Sequence, residues 1–216
     1  MLSNLQFSKD FLPKGFVYLN DIDPSIEQYI MYAKEDNFTG RIVKGYEKEV
    51  AICTYQAALA LKMIQEELNK FGLGLKVYDI YRPAQACLDF YEWSQDVNDQ
   101  KMKEKFYPHV DKKDFFELGY VAKYSGHSRG SAVDLTIITL EGKEELNMGT
   151  RVDFIDELSA TQNPDISFEA KKNRLMLRSI MEKYGFENYS KEWWHYSLRN
   201  EPFQRKPEDH FDFPVK

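Results

Sequence analysis

The sequence contains little cysteine, which argues against a cysteine-based metal site and against a fold held together by disulfides. Its two cysteines, Cys53 and Cys87, lie in predicted helices, with no histidine or second cysteine at ligand spacing. We expect both to be buried, reduced thiols, with a disulfide as the alternative. The helical His-Glu-x-x-His signature of many zinc proteases is also absent.

Long apolar runs and an excess of basic charge are missing as well. No apolar run approaches the roughly 20 residues that are needed to span a membrane. With 29 Lys and Arg against 35 Asp and Glu, the net charge of -6 argues against nucleic acid or an anionic membrane as a partner. Residues 1–16 contain no signal-peptide core, because Ser8-Lys9-Asp10 interrupts the apolar positions. We therefore expect a cytoplasmic protein, and the sequence leaves open whether it forms a homo-oligomer.

The sequence does contain enough apolar residues for one core. Hydrophobic residues make up 43% and aromatic residues 15% of the 216 positions, and this length fits a single domain. Helical and strand patterns are mixed without strict alternation, so we predict an α+β fold with a largely antiparallel central sheet flanked by helices. The predicted helices are residues 48–69, residues 85–97, a helix capped by Ser167 and a short helix after Asp23; the predicted strands are residues 16–19, 75–81, 132–138 and 193–198.

The most informative stretch of the sequence places an aspartate inside a buried strand shortly after a histidine. Asp134 lies within the apolar run of residues 132–138, where a carboxylate is costly to bury unless it is paired or bound to a metal. Gly126 and Gly130 would let the backbone fold so that His127 swings back over this strand. One imidazole nitrogen and one carboxylate oxygen would then meet on one ion, although a histidine paired with a carboxylate without metal is at least as common.

A second motif near the C-terminus supplies another histidine and another carboxylate. In Glu192-Trp193-Trp194-His195 the two side chains are three residues apart. His127, Asp134 and His195 would together form a site of nitrogen and oxygen donors, which suits zinc with a fourth position open for water. Glu192 is then the spare carboxylate, placed to take a proton from that water. Taken separately, Glu192 would be an exposed strand-edge residue and His195 a core histidine; the two motifs together favour the zinc site.

An arginine and two further aspartates are candidates for the same cleft. Arg82 ends a predicted strand just before Pro83, and its planar fork suits a carboxylate or a developing oxyanion. Asp79 would orient a ligand or Arg82, and a structural salt bridge between Asp79 and Arg82 is the alternative. Asp153 follows Arg151 within an apolar segment. It either pairs with that arginine or supplies the counter-charge for a substrate ammonium.

The two metal motifs resemble those of a known family, the zinc D-alanyl-D-alanine dipeptidases of the VanX type. Zinc D,D-carboxypeptidases, phage endolysin peptidases and the hedgehog signalling domain share these two motifs. The resemblance runs over residues 15–216, and residues 1–14, which have no counterpart, are treated as an N-terminal extension. The segments that point to the dipeptidase branch are Asp36-Asn37-Phe38-Thr39-Gly40, Tyr81-Arg82-Pro83, Met148-Gly149-Thr150-Arg151 and Phe211-Asp212-Phe213-Pro214-Val215-Lys216.

The resemblance implies a hedgehog-like, D,D-peptidase-like fold and zinc-dependent hydrolysis of D-Ala-D-Ala to free D-alanine. It implies one zinc ion per chain, with His127, Asp134 and His195 matching the ligands. Glu192 matches the catalytic base, and Arg82 matches the arginine that stabilises the transition state.

The same resemblance implies how a small D,D-dipeptide is held. Ser125, Tyr32 and Asp153 match the positions that bind the two ends of the dipeptide, and Asp79 matches a supporting carboxylate. The chain departs from the family at Gly126, where we expect a serine.

Two other functions remain as alternatives. The first is a D,D-carboxypeptidase or endopeptidase that acts on peptidoglycan peptides, which the lack of a recognisable signal peptide and wall-binding module disfavours. The second is a non-catalytic, zinc-stabilised binding domain, which the presence of both Glu192 and Arg82 disfavours.

Overall fold

A five-stranded sheet forms the centre of the protein, a computed structural model of which describes residues 11–122, 124–203, 206 and 209–216. In spatial order the strands are β2 (Glu27–Gln28), β4 (Leu73–Asp79), β5 (Ala132–Thr139), β7 (His195–Leu198) and β6 (Phe186–Asn188). β2 pairs with β4 in parallel, and the other three neighbouring pairs are antiparallel. The prediction of an α+β fold with a largely antiparallel sheet is therefore confirmed.

Among the described residues, a second sheet and five α-helices surround this centre. β1 (Phe16–Tyr18) pairs antiparallel with β3 (Ile52–Thr54). The helices are α1 (Leu19–Ile22), α2 (Tyr55–Asn69), α3 (Ala84–Gln95), α4 (Lys103–Phe106) and α5 (Phe168–Lys183). α2 packs on β4, and α5 packs on β6. Within the part of the chain that the structure describes, none of the helices has the length and apolar character to cross a membrane. The proposed N-terminal extension, residues 1–14, falls mostly outside the described residues, and its boundary stays a prediction.

β5 is the most deeply buried strand of the sheet. Every residue from Ala132 to Ile138 is buried, and β4 and β7 flank the strand, so that its backbone groups find partners on both edges. β-branched residues such as Val133 and Ile137 favour this pleated, packed environment. Asp134 consequently lies in the interior, as the sequence predicts.

The first long helix begins later than the sequence predicts. Helical periodicity covers residues 48–69, whereas α2 begins at Tyr55 because the preceding residues pair with β1 as β3. Thr54 caps the helix, its side chain accepting a hydrogen bond from an N–H of the first turn at 3.3 Å. The prediction that Cys53 is helical is therefore wrong. Cys53 and Cys87 are both buried free thiols, as expected.

The segment after Asp23, which the structure describes in full, forms a turn and a strand instead of the predicted short helix. The Asp23 carboxylate accepts hydrogen bonds from the N–H and the hydroxyl of Ser25, at 2.9 and 2.6 Å, which closes the turn. The chain then adds β2 to the edge of β4 and continues into a 3₁₀ helix at Met31–Ala33. Pairing with the sheet thus overrides the apolar spacing on which the helix prediction depended.

The C-terminal half follows the predictions closely. Ser167 caps α5, accepting a hydrogen bond from the N–H of Ala170 at 3.1 Å. β7 begins at His195, two residues later than predicted, because Trp193 and Trp194 lie in a turn.

Candidate active site

The register of the central sheet brings an aspartate and a histidine together. β5 pairs with β7 so that Asp134 lies directly opposite His195. Paired residues in antiparallel strands present their side chains on the same face. Nδ1 of His195 lies 2.9 Å from Oδ1 of Asp134. Two residues that are 61 positions apart in the sequence therefore meet through the sheet alone.

Local backbone geometry carries His127 to the same point. His127 lies in a 3₁₀ helix, Gly126–Arg129, and Gly130, which follows the helix, has a φ of 71°. A side chain at Gly130 would collide with the ring of Phe16, so that glycine is required there for space as well as for conformation. Nε2 of His127 lies 3.1 Å from Nδ1 of His195 and 3.3 Å from Oδ2 of Asp134.

These three side chains fit a zinc ion. Ligand atoms of His127, Asp134 and His195 all lie within 4.8 Å of one another. Tetrahedral zinc, with bonds of about 2.0–2.2 Å, holds its ligand atoms roughly 3.3–3.5 Å apart. Nδ1 of His127 donates to the carbonyl of Ile80 at 2.7 Å, which leaves the lone pair of Nε2 facing the other two residues. Two imidazoles and one carboxylate are a donor set that suits zinc.

Glu192 lies beside this group of ligand atoms. It precedes β7, and its Oε2 is 3.8 Å from Nδ1 of His195. Burial raises the pKa of Glu192 well above its usual range, and the nearby charges of Asp134 and Asp153 raise it further. A carboxylate in this position, next to the candidate ligands, is suited to general-base chemistry.

Arg82 faces the cleft and bonds two carboxylates. Its Nε donates to Oδ2 of Asp79 at 2.9 Å, and its Nη2 donates to Oδ2 of Asp134 at 3.3 Å. The guanidinium lies 5.0 Å from the ring centroid of Tyr32 and 5.3 Å from that of Phe90. Arg82 therefore forms the ion pair with Asp79 that one interpretation of the sequence predicts, and it also lines the cleft, where the other interpretation places it.

Asp79 holds Arg82 in place and is itself held by neighbouring side chains. It is completely buried, and its Oδ1 accepts a hydrogen bond from the hydroxyl of Tyr46 at 2.7 Å. Its Oδ2 accepts from Arg82 and lies 3.5 Å from Nδ1 of His127. Burial raises the pKa of Asp79, although Arg82 and His127 act in the opposite direction. Tyr46 thus belongs to the supporting network, although no sequence motif indicates it.

Tyr32 and Asp153 form an acidic end of the cleft. The hydroxyl of Tyr32 donates to Oδ2 of Asp153 at 2.6 Å. Asp153 has a φ of 59°, which is uncommon for a residue with a side chain. Burial, followed by the charge of Asp134, raises the pKa of Asp153 to about 7. Arg151 faces Asp36 instead, with Nη2 3.5 Å from that carboxylate, so the structure favours Asp153 as a cleft residue.

A cleft of about 280 Å³ joins these groups. This volume is at the small end of ligand pockets and suits a small substrate. The hydroxyl of Ser125 accepts a hydrogen bond from the N–H of His127 at 3.2 Å and so shapes the turn that carries this histidine. Asp79, the predicted supporting residue, is not part of the cleft lining and lies behind Arg82, to which it is bonded. The predicted catalytic, metal and substrate residues all line the cleft, namely Tyr32, Arg82, Ser125, His127, Asp134, Asp153, Glu192 and His195.

Sequence reasoning does not identify the residues that complete the cleft. The additional lining includes Phe38, Phe90, Tyr120, Val121 and Tyr189. Four of these are aromatic and one is a valine; such residues in a helix or loop are more often part of a core than of a binding site, and no spacing rule marks them. Only the resemblance of residues 36–40 to a family segment points to the loop that contains Phe38.

Comparison with known proteins identifies the family. The Peptidase_M15 family, described as D-Ala-D-Ala dipeptidase, matches residues 13–216. This chain belongs to that family. A D-alanyl-D-alanine dipeptidase of Enterococcus faecium is 45% identical over 202 residues, which cover 94% of this chain and 98% of the relative. A D-alanyl-D-alanine dipeptidase of Enterococcus faecalis is 40% identical, over 94% of this chain and the whole of the relative. The family resemblance and the assignment as an enzyme are both confirmed.

Similarity to solved structures is weaker. A vancomycin-resistance D,D-pentapeptidase VanY mutant, solved with Zn(II), covers 73% of this chain with a TM-score of 0.42 and 14% identity, over 78% of that chain. The fold class and the geometry of the site therefore depend on the structure of this chain itself.

Proposed function

We propose that this enzyme hydrolyses the free dipeptide D-Ala-D-Ala to D-alanine, using a zinc ion held by His127, Asp134 and His195. The observation that carries the proposal is the convergence of these side chains at one point, with Glu192 and Arg82 beside them in a small cleft. Family membership supports the substrate, because relatives that are 40% and 45% identical are named for this dipeptide. We infer one zinc ion per chain, since the described residues contain one such group of ligands.

The three ligands and their neighbours would hold the ion in a defined orientation. Zinc bound there would lower the pKa of a coordinated water toward about 7 and polarise the scissile carbonyl. The carbonyl of Ile80 keeps the proton on Nδ1 of His127, so that Nε2 remains available as a ligand. Arg82 donates to Oδ2 of Asp134 and orients that carboxylate.

Glu192 acts as the general base in this proposal. It accepts a proton from the attacking water and passes it to the nitrogen of the second alanine, so that the C–N bond breaks with a neutral amine leaving. Its position 3.8 Å from Nδ1 of His195 places it next to the candidate ligands.

Arg82 stabilises the oxyanion that develops on the scissile carbonyl. A guanidinium that is already held in place helps because it does not have to reorganise when charge develops. The hydrogen bond to Asp79 and the rings of Tyr32 and Phe90 hold the Arg82 head group in this way.

A dipeptidase must also recognise both ends of its substrate. Asp153, bonded by Tyr32, would pair with the free ammonium, and Ser125 would bind the carboxylate. An N-acylated peptide has no ammonium for Asp153 to pair with, and its added group must fit within the same 280 Å³. We retain a cytoplasmic location as part of this proposal, because a free dipeptide is a soluble substrate.

The test is a substrate panel. Zinc-loaded protein is incubated with D-Ala-D-Ala, L-Ala-L-Ala and N-acetyl-D-Ala-D-Ala, and the release of free alanine is measured. We expect rapid release from D-Ala-D-Ala alone, and its loss after a chelator removes the metal.

The panel also separates the alternatives. Comparable hydrolysis of the acetylated dipeptide would identify a carboxypeptidase and contradict the dipeptidase proposal. No metal-dependent release from any of the three would leave the non-catalytic binding domain.

A further inference from the structure

The last six residues of the chain form a strap across the turn that carries Arg82. The strap is defined as residues 211–216, which the structure describes in full. Side chains of this strap belong to an aromatic group around Phe16, whose ring lies 4.9 Å from that of Phe211 and 5.1 Å from that of Phe213. The strap is therefore packed against the body of the protein on the side of β1.

The strap caps the helix that follows Arg82. α3 begins at Ala84, and Pro83, at its N-cap position, offers no side chain that can accept a hydrogen bond. The N–H of Ala84 donates to the carbonyl of Phe211 at 3.0 Å. The next N–H, of Gln85, donates to Oδ1 of Asp212 at 2.8 Å. The first turn of α3 is thus capped by residues that lie far away in the sequence, with Gln85 and Asp212 separated by 127 positions.

The strap also holds the residue that precedes Arg82. The hydroxyl of Tyr81 donates to the carbonyl of Phe213 at 2.9 Å and accepts from the N–H of Phe213 at 2.9 Å. The two rings stack with a centroid distance of 4.0 Å and an interplanar angle of 8°. Contacts to Tyr81 on one side and to α3 on the other fix the backbone on both sides of Arg82.

The strap further contacts the turn of the candidate ligand His127. The N–H of Phe211 donates to the carbonyl of Ser128 at 2.9 Å, and the N–H of Arg82 donates to the carbonyl of His127 at 3.2 Å. The strap, the Arg82 turn and the His127 turn are therefore joined by backbone hydrogen bonds.

The end of the strap reaches the support beneath Arg82. The N–H of Val215 donates to the carbonyl of Gly45, and the N–H of Glu47 donates to the carbonyl of Val215, both at 2.8 Å. Between these two lies Tyr46, whose hydroxyl bonds Asp79. The strap thus brackets the tyrosine that holds the carboxylate partner of Arg82.

We propose that Asp212 and the strap are positioning residues for Arg82. Asp212 does not touch the cleft; it acts by capping α3 and so fixes the turn from which the guanidinium extends. The inference rests on the transition-state role that is proposed above for Arg82. A displacement of about 1 Å at such a group is enough to cost up to roughly 100-fold in rate.

The test compares two side-chain acceptors, each of which bonds an N–H in the first turn of a helix. Asp212→Ala removes the acceptor for the N–H of Gln85 in α3 and leaves the Phe211 carbonyl in place, whereas Ser167→Ala removes the acceptor for the N–H of Ala170 in α5, at 3.1 Å. Asp212→Asn keeps an acceptor at the same position and serves as the conservative variant. For each zinc-loaded protein we measure kcat, KM, zinc content and the midpoint of thermal unfolding.

We expect both alanine variants to unfold at a lower temperature and to keep their zinc. Asp212→Ala should also lose on the order of 10-fold in kcat with little change in KM, because Arg82 acts on the transition state. Ser167→Ala and Asp212→Asn should keep kcat. Phe213→Ala, which removes the ring stacked on Tyr81, should lower kcat at least as much as Asp212→Ala.

Two outcomes would overturn the inference. The first is that Asp212→Ala lowers stability as Ser167→Ala does but keeps wild-type kcat. The second is that Asp212→Ala changes neither quantity. Arg82→Lys, measured alongside, separates this failure from failure of the proposed function: if Arg82→Lys keeps kcat, the role of Arg82 itself is wrong.

Discussion

The metal end and the recognition end of the cleft are built in different ways. At the metal end, Asp134 and His195 lie opposite each other on paired strands, and His127 joins them from a short turn. At the recognition end, Tyr32 comes from a 3₁₀ helix, and Asp153 comes from a loop position with positive φ. The pairing of β5 with β7 positions Asp134 and His195, whereas a hydrogen bond between side chains joins Tyr32 and Asp153.

This difference predicts how each end responds to substitution. A sheet register has no intermediate positions, because a shift of one residue turns every side chain to the other face. Removal of a ligand should therefore abolish function without moving its neighbours. The recognition end depends on contacts such as that between Tyr32 and Asp153, at 2.6 Å, and the loss of one contact should weaken function by degrees.

The largest effect is expected at the metal end. His195→Ala removes one of three candidate ligands, and we expect loss of zinc together with loss of all measurable D-Ala-D-Ala hydrolysis. Metal analysis after dialysis and an assay of alanine release provide the measurements. His109→Ala, at a histidine whose side chain is 72% exposed, is the matched control and should keep both metal and activity. Full zinc occupancy in His195→Ala would show that His195 is not a ligand.

The second effect separates binding of the metal from chemistry. Glu192→Gln keeps the shape of the side chain but removes the base, so we expect normal zinc content and a kcat that is lower by about 10²–10⁴. Glu187→Gln changes an exposed glutamate on β6 and should match the wild type. If zinc-loaded Glu192→Gln hydrolyses D-Ala-D-Ala at the normal rate, another group must be the base.

The smallest effect is expected at the recognition end. Tyr32→Phe removes the hydrogen bond to Asp153 and should raise KM about tenfold, with kcat nearly unchanged, as for the loss of one hydrogen bond to a charged group. Steady-state kinetics on D-Ala-D-Ala give both constants. Tyr55→Phe, at a tyrosine that is 47% exposed, is the control. A fall in kcat at constant KM would mean that Tyr32 acts on the reaction itself.

The elements that the sequence predicts well have strong local signals. β5 is a buried run that is mostly apolar, and α5 has both a capping serine and a helical stripe. The predicted start of α2 and the predicted short helix after Asp23 are wrong, because the residues there form β3 and β2. Each of these strands forms by pairing with a strand elsewhere in the chain. The spacing of apolar residues alone does not indicate such long-range pairing.

The residues of the candidate site also divide into those with a signal in the sequence and those without one. An aspartate within a buried strand, and a histidine three residues after a glutamate, together mark Asp134, His195 and Glu192 as candidates. Tyr46 and Phe90 lack such a signal, because their role depends on Asp79 and Arg82 lying beside them in space.

The sequence by itself determined which chemistry this chain is suited to, because the types and spacing of its histidines and carboxylates match a zinc-dependent hydrolase. It also determined the long buried strand β5 and the helix α5 with its capping serine, whose signals are local. Only the tertiary structure decided that Asp212 caps α3 and that Tyr32 bonds Asp153. These contacts join segments 127 and 121 residues apart, and neither partner carries a local pattern that specifies the other.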